Sequence, residues 1–489
     1  MRYLFLTALV FIVYFNALGN GFVSDDRGII SSSAINNIEY FLPPPYFNAN
    51  IRAVLIFFTN QVFGLNPFFF RLPNILAHLG SVFVIYFIVR KLSGKLTAIF
   101  AAAVFAVHPI LTEGVTWISG GGYSLYTFFI LASFYCYLKE STRKYYLISV
   151  FLFYLSLLSS EKAIIFPLIL FIYELALGNL KTNWRKLIPF FFLSFFWGLY
   201  LLGMIGTRIG DLQTSYGGVQ ERLNPLVQIP IAITSYLQLI FWPDGLTLYH
   251  SEMFFGQTEY LTRLGIFLLF IAGIIFSFFK NRVVFFWLSF FIISLLPTLT
   301  PLGISWIVAE RYVYLGTIGI IVIFAMLIKK VAILVKNDDI FWGALIIIII
   351  LFSIRTMFRN ADWTNEDTLW LSAARTSPSS SQNHNNLGDY YGRQGDLKRS
   401  AEEFQAAIKL NPQYADAYHN LGNAYRDMGN LDLAIENYQK ALSFNPNLWQ
   451  SYYNIAAIYY YQKKYPESED FLSKAKKLNP EIQPFTKKL

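Results

Sequence analysis

The chain has 489 residues, 55% of them hydrophobic and only 14% charged, an apolar content beyond the needs of one soluble core that places it in a membrane. Its formal charge of +9 does not make a nucleic-acid surface: residues 381–489 hold 13 Lys+Arg against 12 Asp+Glu, so the excess lies in short loops between apolar runs. One cysteine, Cys136, rules out an internal disulfide and reads as filler within an apolar run.

Taken in chain order, eleven runs are long enough to cross a bilayer at 1.5 Å per residue: about 3–19, 68–89, 96–112, 123–138, 145–159, 163–179, 187–205, 263–279, 283–300, 312–328 and 341–357. The first has the basic start and apolar core of a signal peptide. No small-x-small cleavage site is convincing around Ala17 to Gly21, so it reads as an uncleaved span. Residues 225–243 carry Pro225, Pro230 and Pro243 with Gln228, Ser235 and Gln238, and read as a helix lying in the interface or re-entering.

With that stretch not crossing, Arg2, Arg90–Lys91–Lys95, Lys139–Arg143–Lys144, Lys181–Arg185–Lys186, Lys280–Arg282 and Lys329–Lys330–Lys336 all share one side. Those loops hold 15 basic and 3 acidic residues, whereas the rest of 1–380 holds 11 basic and 15 acidic. By the positive-inside rule the N-terminus is cytoplasmic and the C-terminus is periplasmic or extracellular, in a multi-pass plasma-membrane protein.

From residue 381 the composition turns polar and a 34-residue period sets in. Leu387-Gly388, Leu421-Gly422 and Ile455-Ala456 are one period apart, as are Asn411-Pro412, Asn445-Pro446 and Asn479-Pro480. This is the tetratricopeptide period, with small residues letting paired helices approach and Phe404, Tyr438 and Leu472 filling the seam. The expected division is a transmembrane domain over 1–358, a linker over 359–380, and three repeats at 381–414, 415–448 and 449–482. Such a stack binds peptides, self-associates or braces a neighbour, so it does not name a function by itself.

Carboxylates are few between the apolar runs, and each needs water or a partner. Asp25 and Asp26 follow the first span at its outer end; His108, Glu113 and Trp117 close the third; Glu161 and Lys162 sit between the fifth and sixth; Glu310 and Arg311 precede the tenth, with Tyr312 and Tyr314. On the expected topology all of them meet on the outer face. Each has a plainer reading: a hydrated loop for the aspartates, an ion pair for Glu161–Lys162, a helix cap for His108 and snorkelling for Arg311. Gly120-Gly121-Gly122 has no following Lys-Ser/Thr and reads as a flexible outer turn. There is no nucleophile elbow, and no His/Cys spacing calls for a metal beyond the two carboxylates of Asp25 and Asp26.

These residues resemble those of the transmembrane and tetratricopeptide-repeat-containing O-mannosyltransferase-like proteins, within the multispanning lipid-donor (GT-C) glycosyltransferases. The resemblance rests on Tyr14-Phe15-Asn16 with Phe22-Val23-Ser24-Asp25-Asp26, Leu65-Asn66-Pro67-Phe68 with Asn74 and His78, and His108-Pro109-Ile110-Leu111-Thr112-Glu113. Ala309-Glu310-Arg311-Tyr312-Val313-Tyr314 and Arg359-Asn360-Ala361-Asp362-Trp363 extend it to the repeats. The resemblance implies an all-α GT-C-type core followed by a repeat solenoid, a polyprenyl-phosphate sugar donor, mannose in the best-known relatives, and a catalytic carboxylate from the Asp25–Asp26 pair.

Since phosphate is a good leaving group, one carboxylate that deprotonates an acceptor hydroxyl suffices for an inverting displacement. A guanidinium suits the developing phosphate charge, which makes Arg311 the candidate with Lys162 or Arg52 assisting, and His108, Glu113, Glu161, Glu310 and Tyr314 lining the site. The expected partners are the bilayer, the lipid-linked donor and an acceptor polypeptide held by the repeats, modified on Ser or Thr. Alternatives are a glycan or lipid acceptor, a scaffold on a degenerate transferase core, and a transporter, which lacks the paired broken helices expected of it.

Overall fold

The computed structural model describes residues 2–31, 35–36, 51–139, 142–216, 224–248, 250–253, 255–299, 307–483 and 485, which contain helices and turns but no strand. The chain begins with α1 (Arg2–Tyr14), a 3-10 turn at Asn16–Gly19 and the short α2 (Asp26–Ser31). There follow α3 (Ile51–Phe63), α4 (Pro67–Ser93) and α5 (Lys95–Val107). A break at His108, a 3-10 turn at Pro109–Leu111 and α6 (Thr112–Val115) lead to the hairpin of α7 (Gly122–Leu138) and α8 (Arg143–Ser159). A 3-10 turn at Glu161–Ile165 opens α9 (Phe166–Ala176), then α10 (Leu180–Tyr216), α11 (Pro225–Phe241), α12 (Gln257–Lys280) and α13 (Arg282–Leu295). A turn at Glu310–Val313 precedes α14 (Thr317–Val335) and α15 (Asp339–Asp362).

Each of the eleven expected runs falls on a helix. Among the described residues, six helices are long and apolar enough to cross a bilayer, or seven if α5 and its continuation, bent by 55°, count as one span. The other runs form helices of 11 to 17 residues. The proline-bearing stretch expected not to cross is α11, of 17 residues.

Local sequence sets these boundaries. Asn66 accepts from the Phe68 amide with Pro67 in the first turn, starting α4, and Asn281 accepts from the Val283 and Val284 amides to start α13. Gly94 takes φ +92°, a backbone that an L side chain resists, and so reverses the chain between α4 and α5. The core centres on α5, whose buried Ala101, Ala102, Ala103 and Ala106 let α1, α4, α14 and α15 close around it. Gly319 does the same for α14, since a Cβ there would stand 2.4 Å from the Trp287 carbonyl of α13.

The expected linker is largely helical: α15 runs to Asp362 and α16 (Glu366–Thr376) follows at once, started by an Asn365–Thr368 capping box. Three helix pairs then match the three expected repeats: α17 (Ser381–Arg393) with α18 (Leu397–Leu410), α19 (Ala415–Asp427) with α20 (Leu431–Phe444), and α21 (Trp449–Tyr461) with α22 (Tyr465–Leu478). A Cβ on Gly388 would meet Phe404 at 2.5 Å and one on Gly422 would meet Tyr438 at 2.7 Å, which is why the seam needs glycine.

The solenoid rests on the membrane part. Ser379 donates through its amide and hydroxyl to Glu252, Arg393 pairs with Asp367 at 2.7 Å, and α10 packs against α19. At 37 residues α10 is about 55 Å long, more than a ~30 Å hydrocarbon core uses. Its basic end, Lys181 to Lys186, is the N-terminal one.

Candidate active site

The first outer turn separates the two aspartates. Ser24 adopts φ +54°, and the turn it forms closes with the Asp26 amide donating to the Val23 carbonyl at 3.1 Å. Asp26 is consequently buried, and Asp25 is exposed. One Asp26 oxygen accepts from both the amide and the hydroxyl of Ser119, at 2.7 and 2.5 Å, and the other from the Val23 amide at 3.1 Å. Burial pushes the Asp26 carboxyl above the usual range, while these hydrogen bonds and the Arg71 charge pull it back. Asp26 thus ties the turn to the 119–121 segment, and Asp25 is left facing out, with Arg52 within electrostatic reach of both.

Three more anchors fix this turn. Arg71 of α4, fully buried, donates to the carbonyls of Thr116, Asn20 and Gly21 at 2.6, 2.8 and 2.9 Å. Asn360 of α15 donates to Val13 O and Asn16 Oδ1 and accepts from Thr116. Glu366 accepts from the Ser24 amide at 3.1 Å and pairs with Arg27 at 2.8 Å. A buried arginine in an apolar helix is tolerable here because each of its three nitrogens finds a carbonyl oxygen.

Trp117 links the turn to the second half of the site. Its indole N–H donates to Val23 O at 3.3 Å, and its ring lies 5.6 Å from the Arg311 guanidinium, which also faces Tyr312 at 5.1 Å. Glu113, fully buried, accepts from the Arg311 amide at 2.8 Å and is salt-bridged to its side chain. Burial works against the Arg311 charge, but Glu113 holds its pKa well above the ordinary arginine value. Lys162 pairs with Glu161 at 2.9 Å and sits 5.2 Å from both the Tyr123 and Tyr312 rings. Arg52, Phe70, Asn74, Ile118 and Gly121 line a cleft at the α3–α4 side of the same cluster.

The glycine triplet is not a flexible outer turn. Gly120 and Gly121 are buried, and a Cβ on them would lie 2.1 Å from the Glu113 carbonyl and 1.9 Å from Asn74 Oδ1. Packing at the hub of the site, rather than mobility, demands glycine here. Gly120→Ala is expected to lower stability by about 1–3 kcal/mol, because the backbone carbonyl it meets cannot yield. Gly245→Ala, with no atom within 4 Å of the new Cβ, leaves the melting temperature unchanged in the same assay.

Two expected lining residues are hydrogen-bonded into the scaffold. His108 accepts from the Ile110 amide through Nδ1 and donates through Nε2 to Ile240 O, capping the break after α5. Tyr314 is buried and hydrogen-bonded to His78 at 2.6 Å. Glu310 turns away from the Arg311 cluster to Arg359 at 3.0 Å, and Arg359 also holds Asp362 at 3.0 Å. His250 lies 3.9 Å from Glu310, and among the described residues Thr247 Oγ1, His250 Nε2, Arg359 Nε and Trp363 Nε1 have no hydrogen-bond partner. Reading the sequence assigned no role to Arg71, Ser119, Tyr123, Glu366 or His250.

Residues 50–201 match the family model of dolichyl-phosphate-mannose-protein mannosyltransferases, and residues 388–429, 415–448 and 449–482 match tetratricopeptide-repeat models. The chain is 27% identical over 444 residues to protein O-mannosyl-transferase F38B6.6 of Caenorhabditis elegans, covering 83% of this chain and 62% of that one. It is 25% identical over 469 residues to protein O-mannosyl-transferase TMTC3 of Homo sapiens, covering 82% and 50% respectively. The chain therefore spans about half to three-fifths of the length of these relatives. Among solved structures, ArnT from Cupriavidus metallidurans bound to undecaprenyl phosphate aligns over 91% of this chain and 80% of its own, at 14% identity and a TM-score of 0.41.

Proposed function

We propose that this membrane protein, a GT-C-type mannosyltransferase domain joined to tetratricopeptide repeats, moves one sugar from a polyprenyl-phosphate donor to a Ser or Thr hydroxyl of a polypeptide. The observation that carries the reading is the division of labour in the aspartate pair: Asp26 is consumed in holding the turn, which leaves Asp25 exposed on a rigid frame that shares Trp117 with Arg311.

In this mechanism the acceptor oxygen attacks the anomeric carbon as its proton passes to Asp25. The bond from that carbon to the phosphate oxygen breaks on the opposite face, so the configuration inverts. Charge gathers on the departing phosphate. Glu113 occupies one Nη of Arg311, and the donors that remain can fork onto the phosphate, assisted by Lys162 or Arg52. A guanidinium already fixed by Glu113 and two rings does not have to reorganise in the transition state.

The site gathers the helix ends opposite the basic clusters: the start of α4, the turn after α8, the start of α14 and the end of α15. Under the positive-inside rule this face, and the repeats that pack on it, are extracytoplasmic, with the N-terminus in the cytoplasm. The staples from Glu252 to Ser379 and from Asp367 to Arg393 favour a repeat groove that presents an acceptor polypeptide. Incubating the full chain with labelled polyprenyl-phosphate mannose and separate acceptors tests this. Label is expected on Ser or Thr of a polypeptide, and label confined to a glycan or a lipid contradicts it.

A further inference from the structure

Near the start of α10, α9 and α10 leave between them an apolar groove of about 620 Å³, lined among others by Phe171, Trp184, Ile188, Phe192 and Phe195. Lys181, Trp184, Ile188, Phe192 and Phe195 recur at three- and four-residue steps, so one face of the helix carries a cationic head above an apolar tail. Lys181 and Arg185 are exposed, and the Arg185 guanidinium lies 5.5 Å from the Trp184 ring. Trp184 is itself half-exposed, as an interfacial aromatic is.

The neighbourhood is cationic as well. Arg143 and Lys144 open α8, which packs on α10. Glu174 of α9 does not offset them, because it is buried and takes hydrogen bonds from the Tyr137 hydroxyl, the Asn179 amide and Asn183 Nδ2. From Leu180 to Phe195 the helix rises about 22 Å, longer than half of a ~30 Å hydrocarbon core.

The geometry points to a site for an anionic phospholipid, with the headgroup phosphate on Lys181 and Arg185 and one acyl chain lying in the groove. Basic pockets between transmembrane helices recognise such headgroups through charge, and the groove adds the acyl contact that a surface patch lacks. The donor lipid is a poor occupant, because its sugar would lie at the helix ends remote from Asp25 and Arg311. The inference rests on the chain spanning a membrane and not on the transferase reading.

The test uses the full chain in detergent and native mass spectrometry after incubation with phosphatidylglycerol, phosphatidylcholine or polyprenyl phosphate. Retained phosphatidylglycerol is expected to exceed phosphatidylcholine and to fall roughly ten-fold in the Lys181→Gln/Arg185→Gln variant. Ile188→Trp, which fills the groove, should release it too, while Lys280→Gln/Arg282→Gln, at another basic helix end, should retain it. Equal retention of phosphatidylcholine, retention that ignores Lys181 and Arg185, or displacement of phosphatidylglycerol by polyprenyl phosphate would overturn the assignment.

Discussion

Asp25→Asn is expected to reduce sugar transfer by about 10²–10⁴-fold with little change in melting temperature, because its carboxylate is exposed and acts only when an acceptor hydroxyl must lose a proton. Asp26→Asn should show a different signature. The carboxylate accepts three hydrogen bonds out of water, and an amide cannot accept all three as well, so stability falls by about 1–3 kcal/mol. Its activity loss should track unfolding of the turn and be partly recovered at lower temperature. Turnover of labelled polyprenyl-phosphate sugar, read beside thermal unfolding, separates the two. Equal activity for wild type and Asp25→Asn would remove the proposed base.

Arg311→Ala carries the second large effect, and it acts twice. Removing the guanidinium strands Glu113 as a buried, unpaired carboxylate, at a cost of about 3–5 kcal/mol. It also removes the group proposed to meet the leaving phosphate, for a further loss of about 10²–10³-fold in the rate of the chemical step. The double variant Glu113→Gln/Arg311→Ala distinguishes these contributions: it should regain much of the stability, since no charge is left unpaired, yet stay inactive. Arg311→Lys keeps the charge but not the fork, and should fall between wild type and alanine in rate. Recovery of full activity in the double variant would assign Arg311 to structure alone.

Much of this architecture was legible in the sequence because periodicity reports packing directly. The 34-residue repeat gave three helix pairs, and the apolar runs gave the helices of the membrane part. The site was legible as a list of residues and not as an arrangement. Which of Asp25 and Asp26 is exposed depends on the left-handed backbone of Ser24, a tertiary outcome that an Asp-Asp dipeptide does not announce. The glycine triplet misled for the same reason: glycine permits mobility and also permits close approach, and only the position of the Glu113 carbonyl decides between them.

Arg71 could have been found. It stands four residues inside the α4 run, where a charge is costly unless several oxygens converge on it, and that cost is itself a signal. His108 and Tyr314 were placed at the site because their spans end on the same outer face as Glu113 and Arg311. Their hydrogen bonds to Ile240 and His78 tie them into the scaffold, which the sequence does not announce.

The most direct measurement is a density map of the full chain with a non-hydrolysable polyprenyl-phosphate sugar. The account expects the phosphate against Arg311 and the anomeric carbon opening toward Asp25, with the lipid chain running into the membrane beside the α3–α4 cleft. A phosphate seated instead at the basic helix ends near Lys181 and Arg185, or a sugar that faces away from Asp25, would contradict it.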